Sequence, residues 1–390
     1  MFPQVTDLPV SEGFPDPLVL FAGQKIGSRE EWWERRRPEL GDLFRHYMYG
    51  TSPPGSGVHA ETIRTSPSFL NGRATLKEVS LSLAQAGAPK LGLLLVIPNF
   101  RVKPAPVFLS LNFHGNHLTV AEDNVALTPN WVKDDSPGAR ENRATQAGRG
   151  AEAGKWAVAE TVGRGYAFAT VYCGDIDPDR NDFSDGVHPH YPRAFDWGTI
   201  AAWAWGLSRA VDYLVTDGDV DGGRIAVVGH SRLGKTALVA AAFDERIAMA
   251  IPHQAGCGGT APSRGTAGES VEQINTAFPH WFNAEFKKFN DCPSRLPFDQ
   301  HCLIALVAPR PVLLTNAIED EWANPAGQFD MLKEADPVYR FLGTEGLADE
   351  SMPGIGRLSS GRLGYYRREG GHAMRADDWG VFVSYADRLL

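Results

Sequence analysis

The strongest indication of the fold of this 390-residue chain is the stretch Arg224-Ile-Ala-Val-Val-Gly-His-Ser-Arg-Leu-Gly-Lys-Thr-Ala-Leu-Val-Ala-Ala-Ala-Phe243. Residues 225–228 form an apolar run that is long enough for a strand buried on both faces of a sheet. After Gly229-His-Ser231 the pattern becomes helical and rich in alanine and leucine. The sequence therefore predicts a buried strand, a tight turn that carries Ser231, and a helix that begins directly after the turn.

A serine on such a turn is suited to act as a nucleophile. The first N–H groups of the following helix are unpaired and carry the positive end of its dipole, so they can stabilise an oxyanion next to the hydroxyl. The usual form of this turn, the nucleophile elbow, is Gly-x-Ser-x-Gly. Here Leu233 occupies the second glycine position and Gly234 follows it. The pattern alone is therefore equally compatible with a plain strand–turn–helix unit.

Composition excludes several classes of protein. The formal net charge is −9 and the basic residues are scattered, which disfavours nucleic acid as a partner. No apolar run reaches the length of a membrane span, so no membrane partner is expected. The N-terminus lacks a charged start and an apolar segment, so no signal peptide is visible. The cysteines show no Cys-x-x-Cys spacing, and neither a metal nor another cofactor is expected; they are Cys173, Cys257, Cys292 and Cys302.

Strand and helix patterns alternate along the chain, which predicts an α/β fold with a mainly parallel sheet. The predicted strands are residues 75–83, 91–97, 107–112, 166–172, 225–228, 247–252, 312–316 and 361–367. The predicted helices are residues 30–49, 200–215, 325–342 and a closing helix to residue 390. An extended arm over residues 1–30 and a loop insertion near residues 122–154 complete a single domain of 1–390, and a monomer is expected.

Two polar loops follow predicted strands. The loop Asn112-Phe-His-Gly-Asn-His117 either donates an N–H to an oxyanion hole or is a turn held by its own side chains. The loop Cys173-Gly-Asp-Ile-Asp-Pro-Asp179 has three carboxylates at alternate positions but lacks the glycine and glutamate of a calcium loop. We expect these acids to fix the loop through local hydrogen bonds.

Three residue types needed for nucleophilic catalysis occur in one order. A serine nucleophile needs a base, and the base needs an acid that orients it. In α/β hydrolases these residues follow strands in the order serine, acid, histidine. Ser231, Asp320 and His372 fit that order, and Glu319 and Glu321 are competitors for the acid. The α/β-hydrolase fold is therefore expected, a three-layer sandwich around a mainly parallel sheet.

Two cations beside Ser231 bear on the substrate. Lys235 is four residues further on and shares the face of the first helical turn with Ser231, while Arg232 is adjacent to Ser231. Cations at a helix N-terminus oppose the helix dipole, so they need another reason to be there. Either each pairs with a nearby carboxylate, or together they recognise an oxygen-rich acyl group.

These motifs together resemble a known family, the glucuronoyl esterases of carbohydrate esterase family fifteen, in particular its bacterial members. The stretch Gly229-His-Ser-Arg-Leu-Gly-Lys235 is similar to the family signature Gly-Cys-Ser-Arg-x-Gly-Lys. The resemblance extends from about residue 91 to the C-terminus. It also rests on Gly174-Asp-Ile-Asp-Pro-Asp179, Gly268-Glu269, Phe278-Pro-His-Trp-Phe282, Asp320-Glu-Trp322 and Gly371-His372.

The resemblance implies hydrolysis of the ester between 4-O-methyl-glucuronic acid of xylan and an alcohol of lignin, without a cofactor. It implies a secreted or periplasmic location. Ser231 would be the nucleophile, His372 the base, and Arg232 the residue that stabilises the oxyanion. The hydroxyls and ring oxygen of the uronate would be held by Lys235, Glu269 and Trp322. Alternatives are an acetyl-xylan or other carbohydrate esterase, and a non-catalytic carbohydrate-binding relative.

Two positions depart from the family pattern. His230 replaces the usual cysteine and Ala373 follows the histidine, so the disulfide that joins these loops in fungal members cannot form here. Many members carry the catalytic glutamate after the strand that follows the serine helix, and this chain has Gln254 there. An amide cannot supply the negative charge, so Asp320 is expected to be the acid.

Overall fold

The protein is described here from a computed structural model that covers residues 2–55, 57–192 and 196–390. Nine strands form one sheet in the order β1-β2-β3-β5-β4-β6-β7-β8-β9. The strands are β1 (Val58–Phe69), β2 (Ala74–Leu83), β3 (Lys90–Pro98), β4 (Ala105–Asn112), β5 (Ala167–Tyr172), β6 (Val220–His230), β7 (Met249–His253), β8 (Val312–Ala317) and β9 (Leu363–Arg368). Strands β4 to β9 pair in parallel, whereas β1, β2 and β3 are antiparallel to their neighbours.

The α-helices lie in the connections between these strands and at both ends of the chain. They are α1 (Arg29–Glu31), α2 (Arg37–Phe44), α3 (Ala153–Trp156), α4 (Val158–Gly163), α5 (Cys173–Ile176), α6 (Thr199–Leu214), α7 (Arg232–Phe243), α8 (Val271–Ala277), α9 (Ala284–Lys287), α10 (Gln300–Ala305), α11 (Pro325–Phe341) and α12 (Ala376–Leu389). Two π-helical segments, Trp32–Arg36 and Arg45–Tyr49, extend α1 and α2 into one helical stretch. No helix within the described ranges is both long and apolar enough to cross a membrane.

Each central strand divides its side chains between two apolar cores. Leu109 and Val227 belong to the core beneath α6, α7, α10 and α11, while Phe108 and Val228 belong to the core beneath α4 and α12. This period of two explains why these strands are apolar throughout, because both faces of the sheet are covered. The helices therefore form the outer layers of a three-layer sandwich, and the predicted α/β-hydrolase fold is confirmed.

Strand β1 is one of the elements that the sequence pattern did not predict. Its side chains are mostly exposed, its sequence carries no apolar alternation, and Pro67 lies near its end. These are features of an edge strand, whose outer side needs no apolar face. The helices α8, α9 and α10 between β7 and β8 were also not predicted, because each has seven residues or fewer.

The predicted arm and insertion are largely irregular. Residues 2–28 contain one short 3₁₀ turn, Val5–Asp7. Residue 1 of the predicted arm lies outside the described residues. The segment near 122–154 consists mainly of turns, with a bridge between Arg140 and Arg143, a 3₁₀ turn at Gln146–Gly148 and the start of α3. The four cysteines are unpaired thiols.

Candidate active site

Ser231 lies on a strained turn between β6 and α7. Its backbone has φ 58° and ψ −124°, which is rare for a residue with a side chain. A methyl group at Gly229 would lie 1.9 Å from the carbonyl oxygen of Leu233, so only glycine fits there. Gly234 is equally constrained, because a methyl group on it would lie 2.9 Å from Gly229 O and 3.0 Å from the carbonyl oxygen of His253. The glycine displaced by one position is therefore what allows the helix to pack against the neighbouring strand end.

His372 and Asp320 form a direct pair. Asp320 follows β8 and is buried, His372 follows β9, and the His372 Nδ1 to Asp320 Oδ2 distance is 2.7 Å. The side chains of Glu319 and Glu321 belong to exposed residues on the same loop. With Nδ1 directed at Asp320, Nε2 of His372 is the nitrogen available to Ser231. The described structure has no direct hydrogen bond between Ser231 and His372, although both line one cleft.

Gln254 forms hydrogen bonds with the backbone of the loop that contains His372. Its Nε2 donates to the carbonyl oxygen of Gly371 at 3.3 Å, and its Oε1 accepts from the N–H of Ala373 at 3.0 Å. The side chain thus holds the backbone on both sides of His372 without contacting the imidazole. This neutral amide keeps the histidine loop in place and leaves the contact with the ring to Asp320.

Arg232 is held in an aromatic box by a carboxylate that the sequence interpretation did not assign to the site. Its guanidinium pairs with Asp179 and lies 4.9 Å from the ring centre of Trp281 and 5.3 Å from that of Phe278. Asp179 also accepts from Trp281 Nε1 at 2.8 Å and contacts His280 Nε2 at 2.9 Å. Burial alone would raise the pKa of Asp179, but these hydrogen bonds and the charge of Arg232 lower it to about 2.

The prediction of local hydrogen bonds for the three acids of this loop is wrong. Asp175 accepts from Thr128 at 2.6 Å and from Asn130 at 2.8 Å, which belong to the distant insertion. Asp177 accepts from Thr199 at the start of α6 at 2.7 Å. Each carboxylate therefore ties the end of β5 to a different part of the fold. The sequence did contain a signal for this, because acids at alternate positions after a buried strand can reach different parts of the fold.

Lys235 lies one helical turn after Ser231 with Glu269 and Trp322 near it, and none of these three is among the residues that line the cleft with Ser231. Lys235 is buried, donates to the carbonyl oxygen of Ala255 at 2.5 Å, and has its ammonium 5.9 Å from the ring centre of Trp281. The backbone N–H of Glu269 donates to Trp322 O at 3.0 Å. Burial lowers the pKa of Lys235, and it raises the pKa of Glu269 although Lys235 and Trp322 act against that rise. Trp322 is 54% exposed, so its ring is free to contact a ligand.

A cleft of about 480 Å³ is lined by Ser231, Arg232 and His372. The loop after β4, the insertion and α3 also contribute to its lining, with Phe113, His114, Trp131, Lys133, Asp135, Lys155 and Trp156. The insertion thus contributes to the cleft wall, which its polar sequence did not indicate. A second cavity of about 310 Å³ between Arg45 and Arg209 contains none of the predicted site residues.

Glu152 contacts two of the side chains that line the cleft, His114 and Lys155. His114 Nδ1 lies 2.8 Å from Glu152 Oε1, and Lys155 Nζ donates to the same oxygen at 2.6 Å. Burial would raise the pKa of Glu152, but these two partners lower it to about 2. Among the residues that the structure covers, no group of three or more His, Cys, Asp or Glu side chains is arranged to hold a metal ion.

Fold and site together define a class. An elbow serine, an aspartate–histidine pair on later loops, and a cationic side chain beside the serine, all at one edge of an α/β-hydrolase sheet, are the arrangement of serine hydrolases. Comparison with known proteins narrows this class. Residues 171–343 match the model of a family described as glucuronyl esterase, fungi.

Several relatives match over most of their length. The chain is 46% identical over 385 residues to a carbohydrate esterase of an unknown prokaryotic organism, covering 96% of this chain and 89% of the relative. It is 37% identical to 4-O-methyl-glucuronoyl methylesterase 1 of Wolfiporia cocos, covering 85% and 73%. A promiscuous esterase of carbohydrate esterase family 15 from a marine bacterial metagenome has 44% identity and a TM-score of 0.91 over 99% of both chains. The glucuronoyl esterase of Solibacter usitatus has 36% identity and a TM-score of 0.90, over 98% of this chain and 99% of that one.

The chain belongs to the glucuronoyl esterase family, carbohydrate esterase family 15. It is accordingly a carboxylic ester hydrolase. The family resemblance and the enzyme class predicted from the sequence are both confirmed.

Proposed function

We propose that this protein hydrolyses esters of glucuronic acid, in particular those that join a (4-O-methyl-)glucuronic acid branch of xylan to an alcohol of lignin. The observation that carries this substrate is the proximity of Glu269 and Trp322 to Lys235, which lies one helical turn after Ser231. Lys235 is a buried ammonium that donates to Ala255 O, and Glu269 is a half-buried carboxyl group near it, so each has capacity for a further polar partner. Hydroxyl groups of a sugar acid supply such partners, whereas an acetyl group has none to offer.

The proposed mechanism begins with proton transfer. His372, oriented by Asp320, takes the proton of Ser231 Oγ through Nε2 while the oxygen attacks the uronoyl carbonyl carbon. Asp320 stays ionised and stabilises the imidazolium that forms. The negative charge on the carbonyl oxygen is stabilised by Arg232 and by the N–H groups at the start of α7.

Collapse of the tetrahedral intermediate breaks the ester bond. The alcohol oxygen leaves with the proton from His372 Nε2, and the uronoyl group stays on Ser231 as an acyl-enzyme. Water then gives a proton to His372 and attacks the same carbon, which releases the uronic acid and restores Ser231. We assign the departing alcohol to the part of the cleft that Phe113 and Trp131 line.

Parallel turnover assays on benzyl glucuronate, acetylated xylan and p-nitrophenyl acetate test this substrate assignment. We expect wild-type protein to cleave benzyl glucuronate far faster than acetylated xylan, and Ser231→Ala to abolish both. Trp322→Ala should raise KM for benzyl glucuronate and leave p-nitrophenyl acetate turnover unchanged, since the side chain is exposed and contributes little to the core. Faster turnover of acetylated xylan would instead indicate an acetyl-xylan esterase. Absence of turnover and of Ser231 labelling by an organophosphonate would indicate a non-catalytic carbohydrate-binding protein.

We further propose that residues 1–390 act as one domain and as a monomer. The nine strands belong to one sheet. The large apolar side chains that are exposed on the described surface come from separate segments of the chain, including Val10, Ile63 and Phe100. Light scattering coupled to size exclusion should give the mass of one chain, and a dimer mass would contradict the proposal.

We also propose that the protein acts outside the cytoplasm, in the periplasm or the surrounding medium. The reason is the size of the proposed substrate, because a glucuronoxylan polymer does not cross a cell membrane. Immunodetection in fractions of the native host should find the protein outside the cytoplasmic fraction, and its recovery with cytoplasmic markers alone would contradict this location.

A further inference from the structure

Three imidazole rings lie in a row at the cleft, and two of them, His230 and His372, line it. The ring centre of His230 lies 4.6 Å from that of His372 and 5.2 Å from that of His253. His230 and His253 are the last residues of the neighbouring parallel strands β6 and β7 and are paired in register. His372 reaches the row from the loop after β9. The strand register therefore places a second histidine against one face of the proposed base.

The two outer rings have polar partners, whereas the middle one does not. His372 contacts Asp320, as described above. His253 Nδ1 lies 2.8 Å from Thr315 Oγ1, and its Nε2 lies 3.0 Å from Ala373 O and 3.5 Å from Asp378 Oδ2. For His230, Nδ1 is buried and has no hydrogen-bond partner in the described chain. The middle ring is thus held by packing between its neighbours.

The charged groups around His230 oppose its protonation. Burial is the largest cause that holds the pKa of His230 well below its ordinary value, followed by the possible charges of His253 and His372 and the charges of Lys155 and Arg232. The nearest carboxylates are engaged elsewhere: Asp378 with Arg368, Asp320 with His372, Glu152 with Lys155, and Asp179 with Arg232.

We infer that His230 is a positioning residue for His372: its neutral ring packs 4.6 Å from the catalytic imidazole and stabilises the imidazolium that forms during acyl transfer. A neutral aromatic face attracts a cation within about 6 Å of its centre. The same packing keeps the His372 ring in the orientation in which Nδ1 contacts Asp320. This inference rests on the role of His372 in the proposed function.

Matched substitutions of His230 distinguish the effect of an aromatic ring from the effect of side-chain volume. His230→Phe keeps a flat aromatic ring, His230→Leu fills similar space without one, and His230→Ala leaves a gap. We expect kcat on benzyl glucuronate to fall about tenfold in the Leu and Ala variants and to stay within about threefold of wild type in the Phe variant, with KM little changed. The acid limb of the kcat/KM profile should lie at higher pH for Phe than for Leu, because the aromatic face favours protonated His372. Equal kcat and equal acid limbs for Phe and Leu would overturn the inference.

The same variants are assayed on p-nitrophenyl acetate, whose hydrolysis also needs His372 but not uronate binding. Failure of wild type on benzyl glucuronate alone would therefore reject the proposed substrate and leave this test intact. A measurement on unmodified protein guards against variants that do not fold. In a titration of ¹⁵N-histidine-labelled protein followed by NMR, His230 should stay neutral over the range in which His372 becomes protonated. Protonation of His230 before His372 would overturn the inference.

Discussion

Asp320 places a carboxylate in contact with His372, whereas the side chain of Gln254 is a neutral amide. The carboxylate is buried and lies 2.7 Å from Nδ1, so its attraction for an imidazolium is not weakened by water. The amide of Gln254 contacts only the backbone of the same loop. Two tasks, orienting the imidazole of His372 and holding its loop, are thus carried out by different side chains.

Replacement of the acid is the first prediction at this scale. We expect Asp320→Asn to lower kcat by roughly 10³-fold or more with little change in KM, because the neutral amide neither fixes the tautomer of His372 nor stabilises its charged form. The matched controls are Glu319→Gln and Glu321→Gln on the same loop, which should retain nearly full kcat on benzyl glucuronate. Loss of activity in either control, together with an active Asp320→Asn variant, would show that the acid is misassigned.

Asp179 gives a second prediction. Its carboxylate holds the guanidinium of Arg232 among aromatic rings, so Asp179→Asn should leave Arg232 less well placed for the oxyanion. We expect kcat to fall roughly 10- to 100-fold while KM changes little, because this contact matters most when the negative charge develops. The control is Asp182→Asn, three residues further along the same segment, which should behave as wild type in the same steady-state assay. An unchanged kcat for Asp179→Asn would contradict this role.

Among the elements, the turn between β6 and α7 determines where Ser231 lies. The positive φ of Ser231 is maintained because Gly229 and Gly234 allow the helix start to approach the strand ends closely. The sequence predicted this turn from its apolar run and its glycines. It did not predict that β6 begins at Val220, because the two glycines at 222 and 223 carry no strand pattern.

Gly229→Ala tests this packing. The added methyl group would lie 1.9 Å from Leu233 O, which the backbone of α7 cannot accommodate without moving. We expect a loss of roughly 3 kcal/mol or more in the free energy of unfolding, together with loss of activity, since the turn carries Ser231. Gly218→Ala is the matched control, because nothing lies within 4 Å of its added methyl group. Equal urea midpoints for the two variants would contradict the argument.

Elements that the sequence did not predict share a physical cause. Strand β1 lies at the sheet edge and α8, α9 and α10 are short, so none has the apolar periodicity on which prediction depends. The site was predictable where a residue follows a strand, as for Ser231, Asp320 and His372. Asp179 and His230 were not assigned to it, because their partners Arg232 and His372 lie 53 and 142 residues away along the chain, and only the fold brings them together.

At the scale of the whole molecule, paired carboxylates determine how stability depends on pH. The pKa values of Asp179 and Glu152 are lowered to about 2 in the folded protein, against roughly 4 in an unfolded chain. A group with a lowered pKa stabilises the fold at pH values above its unfolded pKa, and this contribution is lost as pH falls from about 4 to about 2. The partners of these two carboxylates, Arg232, His114 and Lys155, line the cleft, so acid should loosen the site.

This gives a prediction for unfolding in acid. At pH 6 the variants Asp179→Asn and Glu152→Gln should each be less stable than wild type by on the order of 2 kcal/mol. The difference should shrink as pH falls through 4 and nearly vanish near pH 2, where the wild-type carboxylates are themselves protonated. Urea unfolding at several pH values measures this, with the exposed Asp135→Asn as a control that should match wild type throughout. A difference that does not depend on pH would contradict the ionic origin of the stabilisation.

The proposed mechanism requires Ser231 to carry the uronoyl group during turnover. Rapid quenching of the enzyme with methyl or benzyl glucuronate in excess, followed by mass spectrometry of the peptide that contains Ser231, tests it directly. We predict a glucuronoyl adduct on Ser231 that appears during turnover and disappears when substrate is exhausted, with no adduct and no product from Ser231→Ala. Undiminished product formation by Ser231→Ala, or an adduct on another residue, would contradict this mechanism.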